Sequence, residues 1–545
     1  MLNKIAKILG IILFIAVFSG IVLYLFYGDL IKSVLPGGNG FLGLGGERFG
    51  VNSGVTDKFN QTEITIVEPM PLLGFEPTIF DPFTRQRLNN IYETLIKPDK
   101  DLNMMLALAI SWGLLDDTTW EFNLRKDVKF HDGSKLDSLD AIYSIDRAVS
   151  GENSQLKDLL STIKEVKRVD VQTIQITTYK PDPLLLQRLS TVYIVPEEFD
   201  VAKPVGTAAY KISSYDSEDG TLVLEKFDDY WGKKVSGEAE FVGKFKKATF
   251  LTISDKDERI AALQSGWADV LAYVPYDLVD SLPKDKFDTF SVPSLEVQFL
   301  VFNFKDSLFK DVKFRKALDA VVDRNAFAEF VGKYAHGVNQ FVSSGIFGYD
   351  PKIGGDVSTV DEKVVNKAGQ VSGAAWQVGA YAAERVFAEA GQAGVSVSVL
   401  LPMGLDSLGD FLTKQFEKIG LKTDLQYVKS EVYEDVLKKV HYDLYFLGFK
   451  SELGDASDFL KSVVHTGSPY NFTNYSNSAV DKLIEEQEVT MNAKERLSYL
   501  QEAMKILVED DVFGVPLLEY EIVYATKKGL SFEPRIDGFV YLNDL

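Results

Sequence analysis

The sequence predicts an α/β chain of more than one domain behind a single transmembrane helix. Three observations carry this. At 545 residues the chain exceeds what one hydrophobic core organises. Ile8 to Tyr27 is apolar and free of charge, as a membrane span must be. Between Val395 and Phe449 apolar residues recur alternately at strand and at helix spacing, the pattern of a parallel sheet with crossover helices.

At about 1.5 Å per residue, Ile8 to Tyr27 covers the roughly 30 Å of a bilayer core. Lys4 and Lys7 precede it, so the N-terminus is expected in the cytoplasm and the large remainder outside the cell membrane. A cleaved signal peptide would have a shorter apolar core and an A-x-A site. None follows Tyr27, so the anchor is read as uncleaved. Pro36 to Gly54 is dense in glycine. It holds one G-x-G-x-x-G match, Gly38 to Gly43, but without the strand before and helix after that a dinucleotide site needs. The stretch reads as a flexible tether, with a reach on the order of 30 Å for about 30 residues.

Folded sequence begins near Thr62 with a strand, Glu63 to Val67, then a proline-punctuated loop to Pro82 and a helix from Gln86 to Ile96. Trp120 to Arg125 alternates as a strand, and Phe130-His131-Asp132-Gly133 forms a turn. Asp137 or Ser138 caps a helix carrying Leu139, Ile142, Ile145 and Val149 on one face. Further on, Val395 to Leu401 is a strand. Leu408, Phe411, Leu412, Phe416 and Ile419 mark a helix closed by Gly420. Leu421 to Tyr427 is a second strand, Ser430 to Lys439 a short helix, and Tyr442 to Phe449 a third strand. Asn492 and Glu495 read as a capping box before Leu497, Leu500, Met504, Leu507 and Val508. Ligands of parallel sheets sit beyond the carboxyl ends of the strands. The loop leaving the third strand, Phe449 to Asp458, brings an aromatic, a cation and the carboxylates Glu452, Asp455 and Asp458 to that edge. It is read as one wall of a ligand cleft.

Composition narrows the function. A net charge of −21 and a pI near 4.8 argue against nucleic acid, whose phosphates would be repelled. Without cysteine there are no disulfides, thiolate metal sites, cysteine nucleophiles or cysteine-linked lipids. The four histidines, His131, His336, His441 and His465, are scattered and make no ligand pair. No nucleophile elbow and no phosphate-binding loop occurs. The chain therefore reads as a non-enzyme, with no catalytic residue, metal or cofactor.

Short motifs then appear in a fixed order. Asn90-Ile91-Tyr92-Glu93-Thr94-Leu95 is followed by Leu108-Ala109-Ile110-Ser111-Trp112, by Phe122-Asn123-Leu124-Arg125 running to Phe130-His131-Asp132-Gly133, and by Asp140-Ala141-Ile142-Tyr143-Ser144. Val205-Gly206-Thr207-Ala208-Ala209-Tyr210 and Asp229-Tyr230-Trp231 come next, then Arg259 to Asp269, Phe302-Asn303, Phe314-Arg315-Lys316-Ala317-Leu318, Val322-Asp323-Arg324, and Asn474 to Ile484. From about residue 62 to the C-terminus this series resembles the family 5 extracellular solute-binding proteins, the oligopeptide- and dipeptide-binding proteins of ABC importers. Ala208 stands where that family has a glycine, and Phe227 where it has an asparagine. Lys352 to Ala380 matches nothing in the family and is read as an insertion.

The resemblance implies a periplasmic-binding-protein-like, two-lobed clamshell with an extra α+β domain. Residues 1–30 would be the lysine stub and anchor and 31–60 the linker. Lobe I would comprise 61–88, 201–298 and 513–545, the accessory α+β domain 89–200, and lobe II 299–512. In the peptide-binding members an aspartate three residues after a G-W pair takes the ligand's α-ammonium group. Gly448-Phe449 occupy the pair here, so Glu452 takes that role, one methylene longer, or Asp455 takes it instead. Lys450 would meet a ligand carboxylate or pair with Glu452 or Asp455. Phe449 and Tyr433 would pack on ligand side chains or belong to the core, and Phe80 and Asp81 would face the cleft. The implied partners are an oligopeptide or dipeptide and the permease subunits of an ABC transporter, with hinge closure as the mechanism, the protein acting as a monomer. The open alternatives are a receptor for an oligosaccharide or metal chelate, a sensory or adhesive surface protein, and an extracellular hydrolase.

Overall fold

The computed structural model of the chain describes residues 62–234, 243–305, 308–355 and 380–545. The apolar run Ile8 to Tyr27, the glycine-rich tether and nearly all of the insertion lie outside the described residues. Among the described residues no helix is long and apolar enough to cross a membrane. The described residues form two compact units, one made of those up to Val292 with Ile522–Leu545, the other of Pro293–Glu521. The chain crosses between units inside two long strands, Phe287–Phe302 and Gly514–Lys527.

In the first unit the strand Glu63–Glu68 lies between two parallel neighbours, Lys247–Thr252 and Val270–Leu271. Leu222–Lys226 and Tyr210–Tyr215 extend this sheet antiparallel on one side. Ile64, Ile66 and Val67 are all buried, as a strand covered on both faces requires. A separate antiparallel sheet runs in the order Ala109–Asp116, Thr119–Leu124, Thr173–Thr178, Ile163–Arg168. Trp120, Phe122 and Leu124 point inward on alternate positions, as their spacing predicts. The helix Ser138–Ser150 starts in a capping box: Asp137 caps it, and Asp140 reaches back to the Asp137 N–H.

Three of the sequence motifs meet on one buried carboxylate here. Glu93 accepts from the Tyr230 hydroxyl at 2.9 Å, the Trp231 indole N–H at 2.8 Å and the Thr207 hydroxyl at 2.9 Å. Gly206, beside Thr207, passes so close to Ile91 that a Cβ would sit 2.0 Å from its carbonyl oxygen. Asp269 accepts the Thr65 N–H at 2.8 Å and the Lys527 ammonium at 2.6 Å. His131 is held neutral, its Nε2 donating to the Ala208 carbonyl at 2.9 Å while Nδ1 accepts the Gly206 N–H at 3.3 Å. These motif residues lock loops to sheets.

One helix differs from expectation in its bounds. The helix expected over Gln86 to Ile96 runs instead over Pro82–Leu88. Asp81 caps it by accepting the Thr84 N–H at 2.7 Å, and Pro82 supplies a preset φ at its first turn. After Leu88 the chain turns away, because Tyr92 and Glu93 are tied to other elements; the Tyr92 hydroxyl donates to the Phe75 carbonyl at 2.9 Å.

In the second unit the predicted parallel motif is present. Lys422–Val428, Ser396–Pro402 and Leu444–Lys450 lie side by side in that order, all parallel. The helix Asp406–Glu417 buries Leu408, Leu412 and Phe416. It closes on Gly420 at φ +70, where the Leu421 N–H reaches back to the Phe416 carbonyl at 3.1 Å. Leu444–Lys450 pairs antiparallel with the second-unit part of Phe287–Phe302, matching Glu296 to Lys450 and Gln298 to Gly448. Phe299, Phe341, Phe459 and Phe513 pack ring against ring behind this sheet. Arg315, from one motif, donates to the carbonyls of Phe309, Lys310, Asp511 and Val512. Asp323, from the next, caps the helix Arg324–Val331.

Candidate functional site

The loop after Lys450 stands at the carboxyl end of the parallel strands, and its own polar groups fold it. Ser451 Oγ accepts the Asp455 N–H at 2.9 Å, and its backbone N–H bonds the Leu295 carbonyl at 3.1 Å. Asp458 Oδ2 accepts the Leu453 N–H at 3.1 Å. Gly454 takes φ +67, a left-handed turn that a side chain would resist. A neighbouring segment clamps the loop like a short parallel strand: Phe347 N–H donates to Gly454 O at 3.0 Å and Ala456 N–H to Phe347 O at 2.8 Å.

Beneath the loop lies a buried ion pair. Arg496, on the helix Ala493–Lys505, grips Asp455 with both terminal nitrogens at 2.6 and 2.7 Å. Its side chain is 5% exposed and that of Asp455 2%. Asp455 Oδ1 also accepts the Ser457 N–H at 2.9 Å, and Arg496 donates to Gln487 Oε1 at 2.9 Å. Both Asp455 oxygens are thus occupied within the protein.

The other expected residues sort by exposure. Glu452 is exposed at the loop tip and Lys450 half-buried at the strand end. Phe449 is buried, edge-on to Phe459 at 5.5 Å. Tyr433 is buried too. Its hydroxyl lies 3.0 Å from the Leu400 carbonyl and 2.9 Å from that of Phe446, and accepts the Phe446 N–H at 3.1 Å. Burial pushes that phenol well above its ordinary pKa, so it stays neutral. Phe80 and Asp81 belong to the first unit. Phe80 lies 5.5 Å from the Arg85 guanidinium, and Asp81 is the helix cap described above, its pKa raised by burial. The structure therefore places Phe449 and Lys450 at the end of one strand and Glu452 and Asp455 on the loop that follows it, with Tyr433 bonded to the same sheet and Phe80 and Asp81 in the first unit.

One carboxylate escaped the sequence reading. Glu296 pairs across strands with Lys450, is 5% exposed, and has no partner for Oε1 among the described residues. Burial pushes its pKa up to about 7, with Lys450 and a hydrogen bond from Gln298 opposing and Glu452 adding to the rise. The available signal was a lone acid inside the apolar run Leu295 to Phe302. Among the described residues, no group of three or more His, Asp or Glu is placed to hold a metal ion.

Comparison with known proteins agrees with this architecture. The family model of bacterial extracellular solute-binding proteins, family 5 (middle), matches residues 103–471. The glutathione-binding protein GsiB of Salmonella paratyphi A is 24% identical over 84% of this chain and 90% of its own. A dipeptide-binding protein of Escherichia coli is 22% identical over 80% of this chain and 85% of its own. Among solved structures, HbpA2 from Haemophilus parasuis superposes with a TM-score of 0.75 at 17% identity, over 88% of this chain and 98% of that one. With two thirds of its length matched by one family model, and with the two-lobed α/β fold of its neighbours, the chain belongs to the bacterial extracellular solute-binding proteins of family 5.

Proposed function

We propose that this protein is the membrane-anchored, extracytoplasmic receptor of an ABC importer, taking up short peptides with a free α-amino group. The observation that carries the reading is Glu452, a carboxylate held outward on a loop whose backbone is fixed by Ser451, Asp458 and the Asp455–Arg496 pair. A ligand ammonium entering a cleft needs such an anion, because an unpaired buried charge is costly. Lys450, beside it, meets the ligand's carboxylate or balances Glu452. Asp455 positions the loop rather than touching ligand, since Arg496 holds both its oxygens. Phe449 and Tyr433 support the wall from behind, and Phe80 and Asp81, in the first unit, are the residues the family resemblance would turn toward the ligand.

Capture proceeds by hinge closure, in which ligand stabilises the shut state by its differential affinity. The two strand-borne chain crossings are suited to act as the hinge. The accessory domain, 89–200, is supported by its separate four-stranded sheet, and the proposed lobes break at 298/299 and 512/513, a few residues from the breaks at Val292/Pro293 and Glu521/Ile522 between the two units. The apolar run Ile8 to Tyr27 anchors the receptor, the glycine-rich stretch tethers it near its permease, and the receptor works as a monomer. The names of the relatives, which bind glutathione and dipeptides, support a peptide over a sugar or a chelate.

The test is calorimetric titration with trialanine and N-acetyl-trialanine. Glu452→Ala is expected to weaken trialanine binding ~30-fold, about 2 kcal/mol, while leaving the acetylated peptide's affinity unchanged. Equal loss for both removes Glu452 from the site.

A further inference from the structure

Several buried carboxylates among the described residues are matched to donors. Asp455 has Arg496, Glu93 has three side-chain donors, and Glu519 has the hydroxyls of Ser343 and Ser344. Glu296 keeps an Oε1 with no partner among the described residues, as Glu68 does with its Oε2, but Glu68 has Gln86 on its other oxygen and the guanidinium groups of Arg87 and Arg259 acting on it, whereas Glu296 has Gln298 and Lys450. Such exceptions to the satisfaction of buried polar groups call for a specific explanation.

Its surroundings point to the ligand site. Glu296, Gln298, Gly448 and Lys450 share one face of the paired strands. Gly448 leaves room for the carboxylate, since a Cβ there would come within 3.2 Å of Glu296 Oε1. Leu295, immediately before, is held at φ +61, a left-handed conformation that costs a leucine of order 1–3 kcal/mol. Its carbonyl is the acceptor for the Ser451 N–H, so the strained residue joins Glu296 to the base of the Glu452 loop. The charged groups acting on Glu296 are Lys450, across the strand, and Glu452, on the loop.

We propose that Glu296 is a positioning and specificity residue of this site, whose ionisation is coupled through Lys450 and Glu452 to a ligand cation, so that a positively charged ligand binds with release of a proton. The inference rests on the peptide-receptor reading above and adds to it a pH-dependence of affinity. The sign follows from the charges. In the free protein, burial and the neighbouring Glu452 favour the protonated acid. An ammonium seated at Glu452 cancels that repulsion and adds attraction, which favours the carboxylate. Binding is then tighter where the proton has already left, on the alkaline side of about pH 7. An opposite charge at a few ångströms lowers a carboxyl pKa by roughly 1–3 units. Taking about 1.5, trialanine binding at pH 6.5 would release about two thirds of a proton, and affinity would rise ~tenfold between pH 5.5 and 7.5. Trialanine is the suitable probe because its side chains are small, and its α-amine remains largely protonated at pH 6.5.

The experiment is titration of the full-length protein with trialanine at pH 6.5 in two buffers of different ionisation enthalpy, and a series of affinities from pH 5.5 to 7.5. The expected result is proton release by the wild type, lost together with the pH slope in Glu296→Gln, an isosteric variant that cannot ionise. Binding without proton release, or release undiminished in the variant, overturns the inference and leaves the peptide-receptor reading standing. Failure of trialanine to bind overturns both. Should the variant not fold, the wild-type proton count decides by itself.

Discussion

Removing the cation beneath the loop that carries Glu452 is the most demanding perturbation. Arg496→Met deletes two charged hydrogen bonds, of 2.6 and 2.7 Å, and leaves Asp455 buried at 2% exposure without its counter-ion. Breaking one side of a buried ion pair costs about 3–5 kcal/mol, against a total stability of about 5–15 kcal/mol for a typical domain. With a urea m-value of about 3 kcal/mol/M, the unfolding midpoint of this unit should fall by roughly 1 M or more. Urea denaturation followed by tryptophan-independent circular dichroism reads this directly. Adding Asp455→Leu should recover much of the loss, because no charge then remains buried. The recovery stays incomplete, since the Ser457 N–H loses its acceptor, worth about 1 kcal/mol. The single variant should also bind trialanine more weakly, as the loop carrying Glu452 loses its anchor. A single variant within about 0.5 kcal/mol of wild type, or a double variant worse than the single, refutes the assignment of this pair as the loop's foundation.

Three other outcomes follow from the same structure. Tyr433→Phe removes a buried hydroxyl that accepts the Phe446 N–H, so it should cost about 1–3 kcal/mol in denaturation while trialanine affinity stays within about twofold. Gly206→Ala places a methyl 2.0 Å from the Ile91 carbonyl oxygen and should lower the melting point or soluble yield sharply, an overpacking cost of about 3 kcal/mol or more. His131 is held neutral by burial, its pKa lowered to about 4, so the unfolded chain binds the extra proton between there and about pH 6.5. Stability should therefore fall as pH drops through that window, by up to about 3 kcal/mol, and a His131→Gln variant should show a shallower acid limb.

Much of the fold was readable because local signals agreed with one another. The parallel unit from Ser396 to Lys450 declares itself by switching between two periods, and Gly420 ends its helix where a left-handed residue is needed. The cap at Asp137 or Ser138 was legible because capping is local chemistry, and the structure puts it on Asp137. The helix near Asn90 misled because the apolar spacing of Ile91, Tyr92 and Leu95 reflects burial against several partners, whereas the stronger start signal was Asp81-Pro82. Candidate site residues were harder. A loop with Glu452, Asp455 and Asp458 offers three similar acids, and only the approach of Arg496, 41 residues along the chain, distinguishes the internal one from the outward one. Glu296 was missed for the same reason: its relation to Gly448 and Lys450 exists only once two distant strands are paired. The family motifs proved to be fastenings, as Glu93 with Thr207, Tyr230 and Trp231 illustrates, and hence announce the fold without naming the ligand.

Whether this protein carries peptides is settled most directly by native mass spectrometry of the full-length protein purified from its host. Adducts whose masses and fragments match short peptides with free amino termini, sharply reduced in Glu452→Ala, are the predicted result. A sugar or metal-chelate adduct, or peptide adducts equally abundant in the variant, would contradict it.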